Sequence, residues 1–152
     1  MKQLELRRHA RRDPDADRLS AEGRAQAEDV GRAARAAYDV VFVSPAARTA
    51  ETAAWILRGA HQQLPPDHAV IPGLAGKDPS GGSPDAMADG VRALLGQVPN
   101  DGLGLAISHT PFVERAALGL TGREVAPMDE CEGILVIDRE GVLAVDELRL
   151  HG

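Results

Sequence analysis

The run Val40-Val41-Phe42-Val43 constrains this chain more than any other stretch. Four residues are too few for a helix. With no polar face, the run predicts a strand buried on both sides, the pattern of a parallel sheet covered by helices. Residues 103–108 (Leu-Gly-Leu-Ala-Ile-Ser) give the same reading. Leu4 and Leu6 alternate with polar neighbours and predict a first strand ending near Arg8.

Helical patterns separate these runs. Ser20 is placed to cap a helix with Glu22 in its first turn. Gly23, Ala27, Val30 and Ala34 then form a small-residue face able to approach a sheet closely. Ser44-Pro45 is a favoured N-cap and N1 pair for a second helix, with Ala46, Ala50, Ala53 and Leu57 as its inner face. Residues 59–83 are rich in proline and glycine, with a short strand at 69–71. A third helix is expected over 84–96, and Thr110-Pro111 repeats the cap-plus-proline start. Residues 133–138 and 142–148 form a closing strand pair around Glu140-Gly141. The expectation is one domain over 1–152: a three-layer α/β/α sandwich with a mostly parallel central sheet and an antiparallel C-terminal edge.

In such sheets ligands bind beyond the carboxyl ends of the strands. His9, Ser44 and His109 each stand at such an end. Arg48 falls in the first turn of the second helix, where free N–H groups and the helix dipole favour an anion. An imidazole can act as a nucleophile, and a guanidinium grips phosphate oxygens in pairs. Arg8-His9, Arg48 and His109 together therefore predict a phosphate site. Taken alone, Arg7, Arg8, Arg11 and Arg12 would be a solvated basic patch. Within the site reading, Arg7, Arg11 and Arg12 either serve solubility or form a positive rim that steers phosphorylated substrates inward.

The net charge of −6 makes nucleic acid a poor partner. Aromatics are only 3% of the chain, so alanine, valine and leucine must fill the core. Cys131 is the only cysteine, which excludes an intrachain disulfide and favours a reducing compartment. The N-terminal residues have no apolar signal stretch and no apolar run is long enough for a membrane span, so a cytoplasmic location is expected. Cys131 is followed six positions on by Ile137 where a cysteine phosphatase needs arginine. Asp13, Asp15 and Asp17 resemble a calcium loop, but Arg18 and Arg24 occupy its glycine and final glutamate positions. No metal or other cofactor is implied. His61, His68 and His151 are expected to be ordinary surface residues, and Glu51 and Glu114 either helix-surface carboxylates, the favoured reading, or groups that orient the site.

Leu6-Arg7-Arg8-His9-Ala10, Leu19-Ser20-Ala21-Glu22-Gly23, Ser44-Pro45-Ala46-Ala47-Arg48-Thr49-Ala50-Glu51-Thr52-Ala53 and Ile107-Ser108-His109-Thr110-Pro111 appear in the order found in the histidine phosphatase (phosphoglycerate mutase-like) superfamily, which this chain resembles. Its length and His109-Thr110-Pro111-Phe112-Val113-Glu114 resemble the short bacterial phosphohistidine phosphatases of the SixA type. The resemblance implies that His9 is the nucleophile, that Arg8 and Arg48 hold phosphate oxygens, and that His109 stabilises the transition state. Ala10 departs from the family's usual glycine. Larger members carry a glutamate near Ala75-Gly76; the nearest carboxylate here is Asp78, a possible general acid, with Asp85 a poorer choice. The implied substrate is phosphohistidine on a partner protein, which depends less on a proton donor. The alternatives are a small phosphorylated metabolite, a mutase reaction, or a non-catalytic phosphate sensor.

Overall fold

The computed structural model describes residues 1–150; His151 lies outside the described residues. The chain runs β1 (Lys2–Arg8), α1 (Ala21–Arg32), β2 (Val40–Val43), α2 (Ala47–Gly59), β3 (Ala69–Val70), α3 (Pro84–Leu95), β4 (Leu103–Ser108), α4 (Phe112–Thr121), β5 (Gly133–Arg139) and β6 (Val142–Leu148), with a 3₁₀ turn at Pro72–Ala75. The six strands form one mixed sheet in the order β3-β2-β4-β1-β5-β6. β3, β2, β4 and β1 are parallel, and β5 and β6 close the edge antiparallel. This is the expected α/β architecture. Among the described residues no helix is long and apolar enough to cross a membrane.

Strand alternation splits the core into two layers. Val41, Val43, Leu105 and Ile107 face α1 and α2 together with Ala27, Val30, Ile56 and Leu57. Leu4, Leu6, Phe42 and Ala106 face α3 and α4 with Met87, Val91, Val113 and Ala116. Burying both faces of β2 and β4 makes the hydrophobic effect pin their register, since a one-residue slip would exchange the layers.

Ala27 and Val30 of α1 pack toward the sheet as expected, but its glycines have other partners. A Cβ on Gly31 would lie 1.8 Å from the Ile56 carbonyl oxygen, and one on Gly23 would lie 2.1 Å from that of Arg11. The glycines therefore serve backbone contact with α2 and with the first loop rather than with the sheet. The inner face of α2 is also rotated from the expected one. Thr49 and Thr52 are fully buried there beside Ala53 and Leu57, whereas Ala46 and Ala50 are only partly covered. Two hydroxyls can enter the core because each donates to a carbonyl within the turn, Thr49 to Ala46 (2.7 Å) and Thr52 to Arg48 (2.8 Å).

Both cap-plus-proline starts are corrected. α2 has Ala46 at its N-cap and no side-chain cap of its own, and Ser44-Pro45 is a turn before it. α4 has Pro111 at its N-cap after a cis Thr110-Pro111 peptide bond, and the Thr110 hydroxyl donates to Glu114 instead. The amides of Phe112 and Val113 bond the His109 carbonyl, so α4 winds directly off the strand end that carries this histidine.

Candidate active site

Strand register assembles the site. Arg8 pairs with Ser108 across β1 and β4, and Val43 pairs with Ile107 across β2 and β4. One step further along each strand brings His9, His109 and Ser44 to the same sheet edge. The His9 amide donates to Ser108 (3.0 Å) and the Ala10 amide to the buried Thr52 hydroxyl (3.0 Å), which ties the β1 end to both β4 and α2.

The two imidazoles meet edge to face, 5.3 Å between ring centroids at 67°. The guanidinium of Arg48 spans them. Its Nε donates to His9 Nε2 at 3.3 Å, and its Nη2 lies 3.4 Å from His109 Nδ1. His9 Nδ1 sits 2.7 Å from the Ala10 carbonyl, so this nitrogen carries the proton and Nε2 keeps its lone pair. The pKa of His9 is lowered. Burial is the largest cause; the Ala10 carbonyl works in the opposite direction, and the charges of Arg48, Arg8 and Arg12 add to the lowering. Cationic neighbours thus rank behind desolvation.

His109 is pushed down to about 4, first by burial and then by the His9 and Arg48 charges. With Arg48 donating to Nδ1, His109 Nε2 carries the proton and donates to Ser44 Oγ at 2.8 Å. Ser44 also accepts from the Ala46 amide (3.2 Å) and contacts Thr49 Oγ1 (3.2 Å). Ser44 thus does not cap α2 because its hydroxyl is committed to orienting His109.

The amides at the start of α2 are likewise not free for an anion. Asp17 takes both, from Ala47 (2.8 Å) and Arg48 (3.1 Å), and accepts from Arg48 Nη1 (3.0 Å). Partial burial raises the Asp17 pKa, but these amides and the guanidinium outweigh it and hold the carboxyl below its ordinary value. Sequence reasoning assigned Asp17 only to a rejected calcium loop.

Arg8 enters from the other side. Its Nη1 donates to the Met128 carbonyl (2.8 Å), and its Nε is buried with no partner among the described residues. Glu114 accepts the Met128 amide (3.3 Å), while Glu51 accepts the Leu19 amide (2.6 Å) and Arg24 Nε (3.1 Å). Both glutamates therefore brace the site's loops and are not simple surface carboxylates. Arg8, His9, Arg11, Arg12, Pro14, Arg48 and Glu130 line an open cleft of roughly 590 Å³.

Arg7 is not on the rim. It is buried beneath β1, donating to Glu5 (2.8 Å) and to the Cys131 carbonyl (2.7 Å), and Tyr38 donates to the same Glu5 oxygen (3.0 Å). Asp78 does not join the cleft lining. Its carboxylate accepts from the amides of Ser80 (2.7 Å) and Gly82 (3.2 Å) and from the Ser80 hydroxyl, and these bonds, the Ser80 hydroxyl first, lower its pKa. Placed so, Asp78 holds no proton to donate at neutral pH. The Cys131 thiol is buried and pushed up to about 12, chiefly by that burial, and is no nucleophile. His61 and His68 occupy turns after α2, where His68 Nδ1 meets the Pro65 carbonyl (2.7 Å).

Several solved structures share this fold. One is a mutant phosphoserine phosphatase from Entamoeba histolytica in complex with phosphoserine, with a TM-score of 0.75, 18% identity and 97% of each chain covered. Another is the protein histidine phosphatase SixA complexed with tungstate, with a TM-score of 0.73 and 22% identity over 97% of this chain and 96% of that one. A phosphoglycerate mutase from Bacillus anthracis aligns with a TM-score of 0.76 and 13% identity over 95% and 91%. The sequence matches no curated protein. Residues 3–71, which hold Arg8, His9, Ser44 and Arg48, match the model for the histidine phosphatase superfamily (branch 1). That match covers somewhat less than half of the chain, and the phosphatases and the mutase above share its fold along nearly its whole length.

Proposed function

We propose that the chain is a metal-independent phosphatase working through a covalent phosphohistidine at His9. One observation carries this reading: His9 Nδ1 is bound to its neighbouring carbonyl, which leaves the Nε2 lone pair facing a guanidinium and a second neutral imidazole. In the first half-reaction Nε2 forms a bond to phosphorus while the phosphorus–leaving-atom bond breaks, and its electron pair departs with the leaving group. Water then attacks phosphorus, the P–Nε2 bond breaks, and His9 is regenerated with inorganic phosphate. Arg8 and Arg48 meet the charge on the equatorial oxygens, a role metals fill in other phosphatases, and His109 stands beside them. Each charge-assisted hydrogen bond contributes about 1.5–3 kcal/mol. Loss of either arginine should therefore slow the reaction about tenfold to a hundredfold.

The substrate we favour is phosphohistidine on a protein. Its P–N bond releases a leaving group that needs little help from an acid, which suits a site where Asp78 is locked in its own turn. The cleft is open and lined mainly by charged side chains, which suits a group presented on another macromolecule. One observation favours a phosphomonoester carrying a second anionic group: Arg12 lines the cleft and pairs with no carboxylate among the described residues, donating only to the Asp13 carbonyl (3.3 Å). p-Nitrophenyl phosphate turnover, with and without chelator, in wild type and His9→Ala tests the shared mechanism. Turnover insensitive to chelator and lost in the variant supports it; turnover retained by His9→Ala removes His9 from the chemistry. Rates on a phosphohistidine peptide against phosphoserine decide the substrate. A preference of orders of magnitude for phosphoserine would overturn our choice.

A further inference from the structure

The second half-reaction needs a group to take a proton from the attacking water. Asp17 is committed to the start of α2 and to Arg48, Asp78 to its turn, and Glu51 and Glu114 to backbone amides. Glu130 differs from all of these. It lines the cleft with His9, and its carboxylate oxygens accept no hydrogen bond among the described residues. Its only charged contacts among the described residues are longer ones, 3.6 Å to Arg8 Nη1 and 4.0 Å to Arg11 Nε.

Its backbone, by contrast, is held firmly. The Glu130 carbonyl accepts from Gln26 Nε2 (3.2 Å), and the next amide, Cys131, donates to the carbonyls of Arg8 (3.1 Å) and His9 (3.3 Å). The segment that carries Glu130 is therefore bonded to the segment that carries the nucleophile. A carboxylate beside an anion site is unfavourable for phosphate binding through like-charge repulsion. An ionised carboxylate with vacant lone pairs is, however, what a water molecule needs in order to lose a proton.

We propose that Glu130 is a further catalytic residue, the general base for hydrolysis of the phosphohistidine at His9. Water oxygen bonds to phosphorus, one water proton passes to the Glu130 carboxylate, the P–Nε2 bond breaks with its electrons returning to His9, and Glu130 later releases the proton to solvent. Arg8 and Arg11 balance its charge while it waits. This rests on the phosphatase reading above and concerns only the second step.

Rapid-mixing kinetics with p-nitrophenyl phosphate on wild type, Glu130→Gln, Glu130→Asp and His9→Ala test it. General-base catalysis contributes roughly a hundredfold to ten-thousandfold. Glu130→Gln should therefore release one equivalent of p-nitrophenol in a burst, accumulate an acid-labile phosphoryl group on His9, and turn over at least about a hundredfold more slowly. Glu130→Asp should recover part of the steady rate, and His9→Ala should show no burst. If Glu130 only positions Arg8, Glu130→Gln will slow the burst itself or raise KM, and no phosphoenzyme will accumulate; that result overturns the proposal while wild-type turnover leaves the phosphatase reading standing. Wild type that neither turns over nor becomes phosphorylated overturns both.

Discussion

Replacing Asp17 with alanine removes three hydrogen bonds at once: two from the first amides of α2 and one from Arg48 Nη1. α2 has no cap of its own, so the loss strands two donors at a helix start. Capping side chains contribute about 0.5–2 kcal/mol. The Arg48 pair adds less than about 1 kcal/mol, because the Asp17 side chain is 46% exposed and solvent screens it. The sum is about 1–3 kcal/mol, and at roughly 2–4 °C per kcal/mol for a chain of this size Tm should fall by about 2–12 °C. The sign with pH follows from the lowered pKa of Asp17 in the fold. Its contribution is complete above the unfolded-state value and is lost as pH falls through the folded one, so the Tm gap between wild type and Asp17→Ala should hold at pH 7 and close below about pH 4. Catalysis should fall as well. Arg48 would lose one of three anchors and regain side-chain freedom worth about 1–2 kcal/mol, a loss of about tenfold in kcat/KM. Thermal denaturation across pH and steady-state hydrolysis of p-nitrophenyl phosphate read the two effects. Wild-type Tm together with unchanged or raised kcat/KM would show that Asp17 merely repels phosphate and that its place at α2 is incidental.

Ser44→Ala removes the acceptor of His109 Nε2, and the net worth of a buried hydrogen bond, about 0.5–1.5 kcal/mol, predicts up to a tenfold fall in kcat/KM with partial recovery in Ser44→Thr; equal rates in all three proteins would remove Ser44 from the site. His9 should titrate below 6.5, since burial and nearby cations disfavour its charged form. Arg48→Gln should move that titration to higher pH in an NMR titration of the ring, and a shift the other way would mean Arg48 is not felt at His9. Arg7→Ala breaks a buried ion pair and should cost about 3–5 kcal/mol, on the order of a 10 °C fall in Tm, while the purified protein keeps its kcat. A stable variant with a raised KM would restore Arg7 to the substrate's path.

What could be seen in advance divides along a physical line. The strands and their order of use were legible because period and burial are written into consecutive residues: Val40–Val43 and Leu103–Ser108 have no polar face to offer solvent, and so they must be central. The strand ends followed, and with them His9, Ser44 and His109. Side-chain destinations were not legible, because they depend on which loop crosses which edge. The run from Arg11 to Arg18 carries three aspartates at alternate positions, and nothing local distinguishes Asp17, which reaches α2, from Asp13, which meets Arg18 in its own loop. Ser44 met every local criterion for a helix cap and was drawn away by an imidazole 65 residues on. Glu130 stood in an undistinguished acidic stretch, and its place in the cleft comes from backbone pairing with Arg8 and His9 more than 120 residues earlier. Asp78 shows the opposite error. Family spacing singled it out, yet Ser80 and Gly82 lie close enough in sequence to satisfy its carboxylate, and a local turn outcompetes a distant cleft whenever the short loop costs little entropy to close. A carboxylate with neighbouring donors two to four residues on is therefore a poor candidate for catalysis, and one without them, like Glu130, is a better one.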